Sequence, residues 1–285
     1  MDRTKSGLRR LSAVLVAVLG ATAITIVSLP KWDGEPPPVV PVTEAENTAT
    51  ALQAARRQRQ PVVATELTTA TRLVSALPDG SLRAQVNAVP VRTQKNGRWT
   101  ALDATLSAAP DGTVVPKAVD TDLVLSGGGR APLLKFGTPG RSVTMTWPQE
   151  LQAPVLDGPT ATYRSVLPDV DLVLTAQSSG GVTQRLLVHK PQALASVKFG
   201  LSAEGLKVRV AEGNRIEAVD DKGEVVFSTP PAEMWDASEE RRAPVGVETD
   251  ATSLTLKPDT KLLTDPAVRF PVTVDPDWWP NTRKD

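Results

Sequence analysis

The chain has 285 residues and no cysteine, which excludes disulfides, thiolate metal sites and cysteine nucleophiles. Its 32 Lys and Arg residues balance 32 Asp and Glu residues, so it lacks the basic footprint of a nucleic-acid binder and we expect no nucleic-acid partner. Hydrophobic residues make up 40% of the chain and aromatic residues only 4%, so we expect a substantial core built mainly from Val, Leu and Ala.

Residues 1–30 have the pattern of an export signal. Lys5, Arg9 and Arg10 come first. An uncharged, mainly apolar run at 11–29 follows, and Pro30 ends it. The small residues at 21–23 suit a cleaved signal peptide, whereas the length of the run approaches the roughly 20 residues of a spanning helix and favours a signal anchor. The basic flank places the N-terminus in the cytoplasm. We therefore expect an exported protein, anchored through 11–29 at the outer face of the cytoplasmic membrane, or secreted if the signal is cleaved.

A linker and a helix are predicted behind the signal. Residues 31–42 contain four prolines and one glycine, a composition typical of a stiff, extended spacer. Thr43 and Glu46 match a capping box, which predicts a short surface helix, in part mobile, over 43–60 that ends before Pro61.

The segment 61–279 is predicted to be β-rich. Apolar and polar residues alternate in short runs such as 142–147 and 270–274, and turn signals such as Asn96-Gly97 separate these runs. Short strands at this spacing predict an all-β fold with one or more antiparallel β-sandwiches. A β-barrel is the alternative. Three prolines at 148–159 mark either a boundary between two β-subdomains or a long loop. Residues 280–285 form a charged tail.

Several phrases resemble a known family. They are QVNAVPVRTQKNGRWTALDATL (Gln85–Leu106), YRSVLPDVDLVL (Tyr163–Leu174) and LLTDPAVRFPVTVDPDW (Leu262–Trp278). Their order resembles the N-terminal β-rich region of exported actinobacterial multidomain proteins with DNRLRE, LamG-like or RHS (YD-repeat) segments. It is also similar to wall-associated RHS-type proteins. The resemblance covers roughly 45–279.

The resemblance implies a non-catalytic surface module ahead of larger functional segments, with no catalytic residues to carry over. Its expected partners are downstream domains of a longer protein or cell-surface polymers. The chain departs from the family because it stops at Asp285, where related proteins continue.

Few residues are candidates for catalysis or metal binding. His189 is the only histidine, so a zinc site based on histidines is excluded, and its place at a strand end predicts a solvent-edge residue. Three carboxylate pairs could bind calcium or act as the acid and base of a glycosidase. We expect them instead to be solvated residues of turns and strand ends. These pairs are Asp169 with Asp171, Asp220 with Asp221, and Asp275 with Asp277. We expect no catalytic residue, no metal and no cofactor.

Tryptophan supplies the best candidate contact residues. Trp278 and Trp279 are adjacent near the C-terminus, and an exposed pair would contact a ligand or another domain. The leading hypothesis is a non-catalytic β-sandwich module of a cell-envelope protein with a structural or surface-interaction role. The alternatives are a carbohydrate-binding module for cell-wall or extracellular glycan and, last, a secreted hydrolase.

Overall fold

The computed structural model describes residues 41–192, 194–275 and 277–280. The predicted hydrophobic helix at 11–29 and nearly all of the predicted linker lie outside these residues. Within them, no helix combines the length and apolarity needed to cross a membrane.

The described chain is mainly strand. Its helices are α1 (Thr48–Gln58) and α2 (Thr260–Thr264), with 3-10 turns at Thr65–Leu67 and Glu212–Asn214. The strands are β1 (Glu44–Ala45), β2 (Val62–Ala64), β3 (Arg72–Ala76), β4 (Leu82–Val86), β5 (Arg92–Lys95), β6 (Arg98–Ala101), β7 (Asp103–Ala108), β8 (Val114–Ala118), β9 (Val124–Leu125), β10 (Leu134–Thr138), β11 (Arg141–Thr146), β12 (Val155–Asp157), β13 (Thr160–Leu167), β14 (Val170–Ala176), β15 (Val182–Val188), β16 (Val197–Glu204), β17 (Lys207–Ala211), β18 (Arg215–Val219), β19 (Val225–Ser228), β20 (Glu233–Trp235), β21 (Arg242–Pro244), β22 (Gly246–Thr249), β23 (Ser253–Lys257), β24 (Val272–Asp275) and β25 (Trp279–Pro280).

These strands form several sheets in which almost every neighbouring pair is antiparallel. An eight-stranded sheet has the order β22-β23-β16-β11-β10-β9-β8-β7, and a seven-stranded sheet has the order β12-β13-β14-β15-β24-β20-β21. Smaller sheets have the orders β17-β18-β19-β25, β1-β2-β3-β4 and β5-β6. Only β1 and β2 pair in parallel among the described strands. The prediction of a mainly antiparallel β protein is confirmed.

One hydrophobic core joins the two large sheets. In β14, residues alternate between buried and half-buried along Val170–Ala176, and β24 buries Val272 and Val274. Phe136 of β10 and Met145 of β11 belong to the same buried cluster, although they lie in the eight-stranded sheet. The two-residue period places one face of each sheet in this cluster. The alternation predicted at 142–147 and 270–274 is confirmed.

The proline-rich stretch 148–159 lies inside the compact unit that begins at Val42. Its Leu151 exchanges two backbone hydrogen bonds with Gly129, at 2.8 and 2.9 Å. The same stretch contains β12, which is an edge strand of the seven-stranded sheet.

The first helix is shorter than the predicted 43–60. Its N-cap is Asn47, whose Oδ1 accepts a 2.9 Å hydrogen bond from Thr50 N, so the predicted capping box on Thr43 is wrong. The physical reason is strand pairing, because the Thr43 carbonyl accepts from Val63 N at 2.9 Å and holds the chain extended. At the other end, Arg59 adopts a left-handed conformation with φ 56° and ends the helix.

Tyr163 links the two large sheets by a buried hydrogen bond. It lies in β13 of the seven-stranded sheet and is fully buried. Its hydroxyl donates to the carbonyl of Ser126, just after β9 of the eight-stranded sheet, at 2.6 Å. Burial raises the pKa of Tyr163 above its ordinary value, so the hydroxyl stays protonated and remains a donor.

We expect Tyr163→Phe to lower the free energy of unfolding by about 1–3 kcal/mol, because it leaves the buried Ser126 carbonyl without this donor. Urea denaturation measures the effect. Val155→Ala, at a position that is 52% exposed, is the control and should change stability by less than about 0.5 kcal/mol. A Tyr163→Phe variant as stable as this control would show that the hydrogen bond does not hold the sheets together.

Candidate functional site

The seven-stranded sheet has an outer face opposite its core face. We define this outer face by the side chains of Val173, Arg185, Leu187, Thr273, Trp235 and Arg242. The strand register brings them together: Val173 pairs with Arg185, Leu187 with Thr273, and Trp235 with both Thr273 and Arg242. All six are half-buried or exposed, whereas the residues between them on β14, β15, β24 and β20 are buried.

A groove of about 380 Å³ runs over this outer face. Its lining comprises Val173, Arg185, Leu187, Trp235, Asp236, Ala237, Glu239, Pro271 and Thr273. The groove therefore combines an aromatic wall with charged and polar groups that could bond a ligand. This groove is the strongest candidate site in the described part of the chain.

Trp235 contacts two arginine side chains. The guanidinium carbons of Arg185 and Arg242 lie 5.9 and 5.3 Å from its ring centroid, within the range of cation–π attraction. Arg242 also pairs with Glu239 at 3.3 Å and with Glu233 at 3.7 Å. These contacts orient the indole at the wall of the groove, so a ligand would meet an aromatic surface that is already in place.

Arg185 connects the groove to a buried carboxyl pair. Its Nε lies 3.6 Å from Asp275 Oδ2, and the Asp275 side chain is only 13% exposed. Asp275 Oδ1 and Asp277 Oδ1 are buried without a hydrogen-bond donor among the described residues. A proton shared between the two carboxyls would satisfy both oxygens.

The protonation of Asp275 sets the negative charge beside the groove. Burial raises the pKa of Asp275 to about 8, and the neighbouring Asp277 adds to the rise, while Arg185 opposes it. Below pH 8 Asp275 is therefore mainly neutral. Neutral Asp275 then adds no negative charge beside Arg185 at the groove.

The other two carboxylate pairs stabilise turns and strand ends. Asp220 accepts hydrogen bonds from Lys222 N at 3.0 Å and Glu224 N at 2.9 Å, and it pairs with Arg141 at 3.2 Å. Asp221 is exposed on the same turn. Within the described ranges, no three His, Asp or Glu side chains cluster to hold a metal ion.

His189 contacts a carboxylate at a strand end. Its Nε2 lies 3.0 Å from Asp171 Oδ2, and Asp171 Oδ1 also accepts from Ser165 N at 2.7 Å. The neighbouring Asp169 pairs with Lys190 at 2.8 Å. Both carboxylates of this pair are thus engaged at the β13–β14 turn and the end of β15.

The prediction of an exposed tryptophan pair is wrong for Trp278. Its side chain is fully buried, with its ring 5.2 Å from that of Phe136. Its backbone exchanges hydrogen bonds of 2.8 and 2.9 Å with Val182, so the chain turns the indole into the core. Trp279 pairs through its backbone with Ser228. Trp278 is a core residue and offers no surface to a ligand.

Sequence reasoning missed Trp235, although a signal for it was present. The stretch Glu233–Trp235 alternates polar, apolar and aromatic residues, and Met234 is fully buried. With a period of two, a buried Met234 places Trp235 on the opposite face of the sheet. The neighbouring Arg185 and Arg242 come from other strands and carry no local signal.

Comparisons with known proteins identify no relative. No protein family, curated protein or solved structure matches this chain. The resemblance to exported DNRLRE, LamG-like or RHS proteins stays a prediction, and so do export and surface location.

We expect Asp275→Asn to stabilise the chain increasingly as the pH rises from 4 to 8. The folded chain keeps a proton on Asp275 up to about pH 8, whereas the unfolded chain releases it near the ordinary value of 3.8. The unfolded state therefore binds fewer protons in this range, and the stability contribution of Asp275 is lost as the pH rises. Since one pKa unit corresponds to about 1.4 kcal/mol, the upper limit is about 6 kcal/mol.

Thermal unfolding from pH 4 to 9 measures this difference, with Asp221→Asn as the control on an exposed carboxylate. Wild type and Asp275→Asn should have similar stability near pH 4 and diverge above it. Parallel pH profiles for the two proteins would show that Asp275 has an ordinary pKa.

Proposed function

We propose that this chain is a non-catalytic β-sandwich module of an exported cell-envelope protein, with a structural or surface-interaction role. In this proposal the two large sheets pack face to face and supply a rigid body. The outer face of the seven-stranded sheet then contacts a partner, which is either a downstream domain or a cell-surface polymer.

The shared core supports a sandwich. The ring of Phe136 in the eight-stranded sheet lies 5.2 Å, centroid to centroid, from that of Trp278, whose backbone pairs with Val182 of the seven-stranded sheet. Tyr163 adds a hydrogen bond from one large sheet to the backbone beside the other. Two sheets that bury their inner faces against each other are the defining feature of a sandwich.

We assign the interaction role to the outer face of the seven-stranded sheet. Trp235 is half-buried there, and Arg185 and Arg242 fix its position. Trp and Arg are the residues most often found to dominate binding energy at protein surfaces. Because two arginine side chains already contact the indole of Trp235, its orientation is set without a partner.

The envelope setting rests on the sequence. The basic and apolar segment at 1–30 supports export. A cysteine-free chain must derive its stability outside the cell from burial, and the large shared core supplies that burial.

Carbohydrate binding is the second candidate function. Trp235 favours it, because an indole in a groove can stack on a sugar ring while Arg185, Glu239 and Thr273 bond the hydroxyl groups. In the sequence, the candidate sugar-stacking residues are Trp278 and Trp279, but Trp278 is buried in the structure. Trp235 takes its place as the candidate stacking residue.

Binding of the full chain to isolated cell envelope tests the interaction role. We expect saturable binding that Trp235→Ala weakens by at least about tenfold, since removing a central anchor costs about 2 kcal/mol or more. Trp99→Ala is the matched control, because Trp99 is also half-buried but lies on the β5–β6 hairpin. Equal binding by both variants would contradict a role for the groove.

A second substrate separates the two candidates. Retention on protein-free wall glycan, lost in Trp235→Ala, would support the carbohydrate-binding module. Retention only on envelope that keeps its proteins would support a protein partner. Melting curves of both variants show whether a loss of binding reflects a loss of folding.

A hydrolysis assay tests the non-catalytic part of the proposal. The full chain is incubated with wall glycan and with a protein substrate, and release of soluble product is measured. We expect no turnover. Hydrolysis by the wild type that disappears in Asp169→Ala or Asp171→Ala would overturn the proposal.

A further inference from the structure

Strand β4 is an exposed edge of the four-stranded sheet β1-β2-β3-β4. All five of its residues are exposed, including Leu82 at 46% and Val86 at 71%. Among the described residues, β4 pairs only with β3. Exposed edge strands invite pairing with another chain, and proteins usually protect them with proline, lysine or bulges. β4 contains no proline or lysine, its one charged residue is Arg83, and its register with β3 is continuous.

The register shows which backbone groups of β4 point outward. Asn87 N donates to Thr71 O, and Leu77 N donates to Ser81 O. In an antiparallel ladder the bonded positions alternate, so residues 81, 83, 85 and 87 face β3. The N–H and C=O groups of Leu82, Ala84 and Val86 therefore point to the open side.

The side chains of the same three residues form an apolar strip. Leu82 pairs with Ala76, which lies in a buried cluster with Ala51 and Ala55 of α1. The strip Leu82–Ala84–Val86 thus continues the helix-covered face of this sheet beyond the edge of the helix. Arg83 and Gln85 lie on the opposite face.

We propose that β4 pairs antiparallel with β4 of a second copy of this chain, about a two-fold axis at Ala84. This register sets Leu82 opposite Val86 and Ala84 opposite itself. The groups that point outward are those that an antiparallel pairing centred on Ala84 requires, which gives about six hydrogen bonds between the copies.

Charge and shape also fit a second copy. The register sets Arg83 directly opposite Gln85 on the polar face, so no two like charges lie directly opposite each other, although the two Arg83 side chains are diagonal neighbours. On the other face the two apolar strips merge, and both α1 helices lie on that side. The combined sheet has eight strands, and its contact is isologous, as closed two-fold dimers require.

Because the chain has no cysteine, an introduced cysteine can form a disulfide only with a cysteine of another molecule. In the proposed register the two Ala84 Cα atoms lie about 5.5 Å apart, within the range that a disulfide bridges. The two Leu82 Cα atoms lie roughly 14 Å apart, because four residues of strand separate them. Leu82→Cys is therefore a matched control on the same strip.

The experiment oxidises the full chain, in membranes or detergent, and follows the dimer on a non-reducing gel. We expect Ala84→Cys to shift from 30.3 kDa to about twice that mass, and Leu82→Cys to stay a monomer. An equal mixture of Leu82→Cys and Val86→Cys should give the mixed dimer. Because these side chains are exposed, circular dichroism should be unchanged.

A charge on the strip provides a second measurement. Adding Val86→Lys to Ala84→Cys should reduce the dimer severalfold, because it places two lysines in the apolar strip. Val89→Lys is its control, since Val89 is 64% exposed but lies outside β4.

Three results would overturn the proposal. The first is equal cross-linking of Ala84→Cys and Leu82→Cys, which indicates random collision or parallel pairing. The second is a monomeric Ala84→Cys variant that is correctly folded. The third is cross-linking of Ala84→Cys in native envelope to a different protein instead of to itself.

Discussion

The burial of apolar side chains in the core that the two large sheets share is the constraint on which the rest of the structure depends. With no cysteine, the chain has no disulfide to hold these sheets together. Phe136, Tyr163 and Trp278 belong to the buried cluster that both sheets share, and they are almost completely buried. Since apolar burial is the dominant favourable term in folding, these contacts fix the position of every strand that carries the outer face.

The same two-residue period that builds the core also builds the candidate site. Met234 enters the core, and its neighbour Trp235 therefore faces outward. Leu186 enters the core, and Arg185 reaches Trp235 from the next strand but one. The position of the groove residues is thus a consequence of the packing behind them. Asp275 extends this coupling, because its protonation decides whether a negative charge lies beside Arg185.

Local patterns in the sequence predict the strands well but not their partners. Alternation identifies β11 and β24, whose faces depend only on neighbouring residues. The neighbours of β24 are β15 and β20, and β15 precedes it by more than eighty residues, so no local signal indicates the pairing. The predicted cap of α1 is wrong because pairing of β1 with β2 outweighs the capping box at Thr43. The predicted exposure of Trp278 is wrong because its burial depends on Phe136 and Val182, which are distant in sequence.

Native-state hydrogen exchange on β10 and β15 tests the shared core most directly. These strands lie in different large sheets, and one cooperative core requires their slowest amides to open with the same free energy, equal to that of global unfolding. The exchange should follow a single opening reaction as denaturant is added. If the two strands differ by more than about 1 kcal/mol and open separately, each sheet has its own core, which contradicts a single core shared by both sheets.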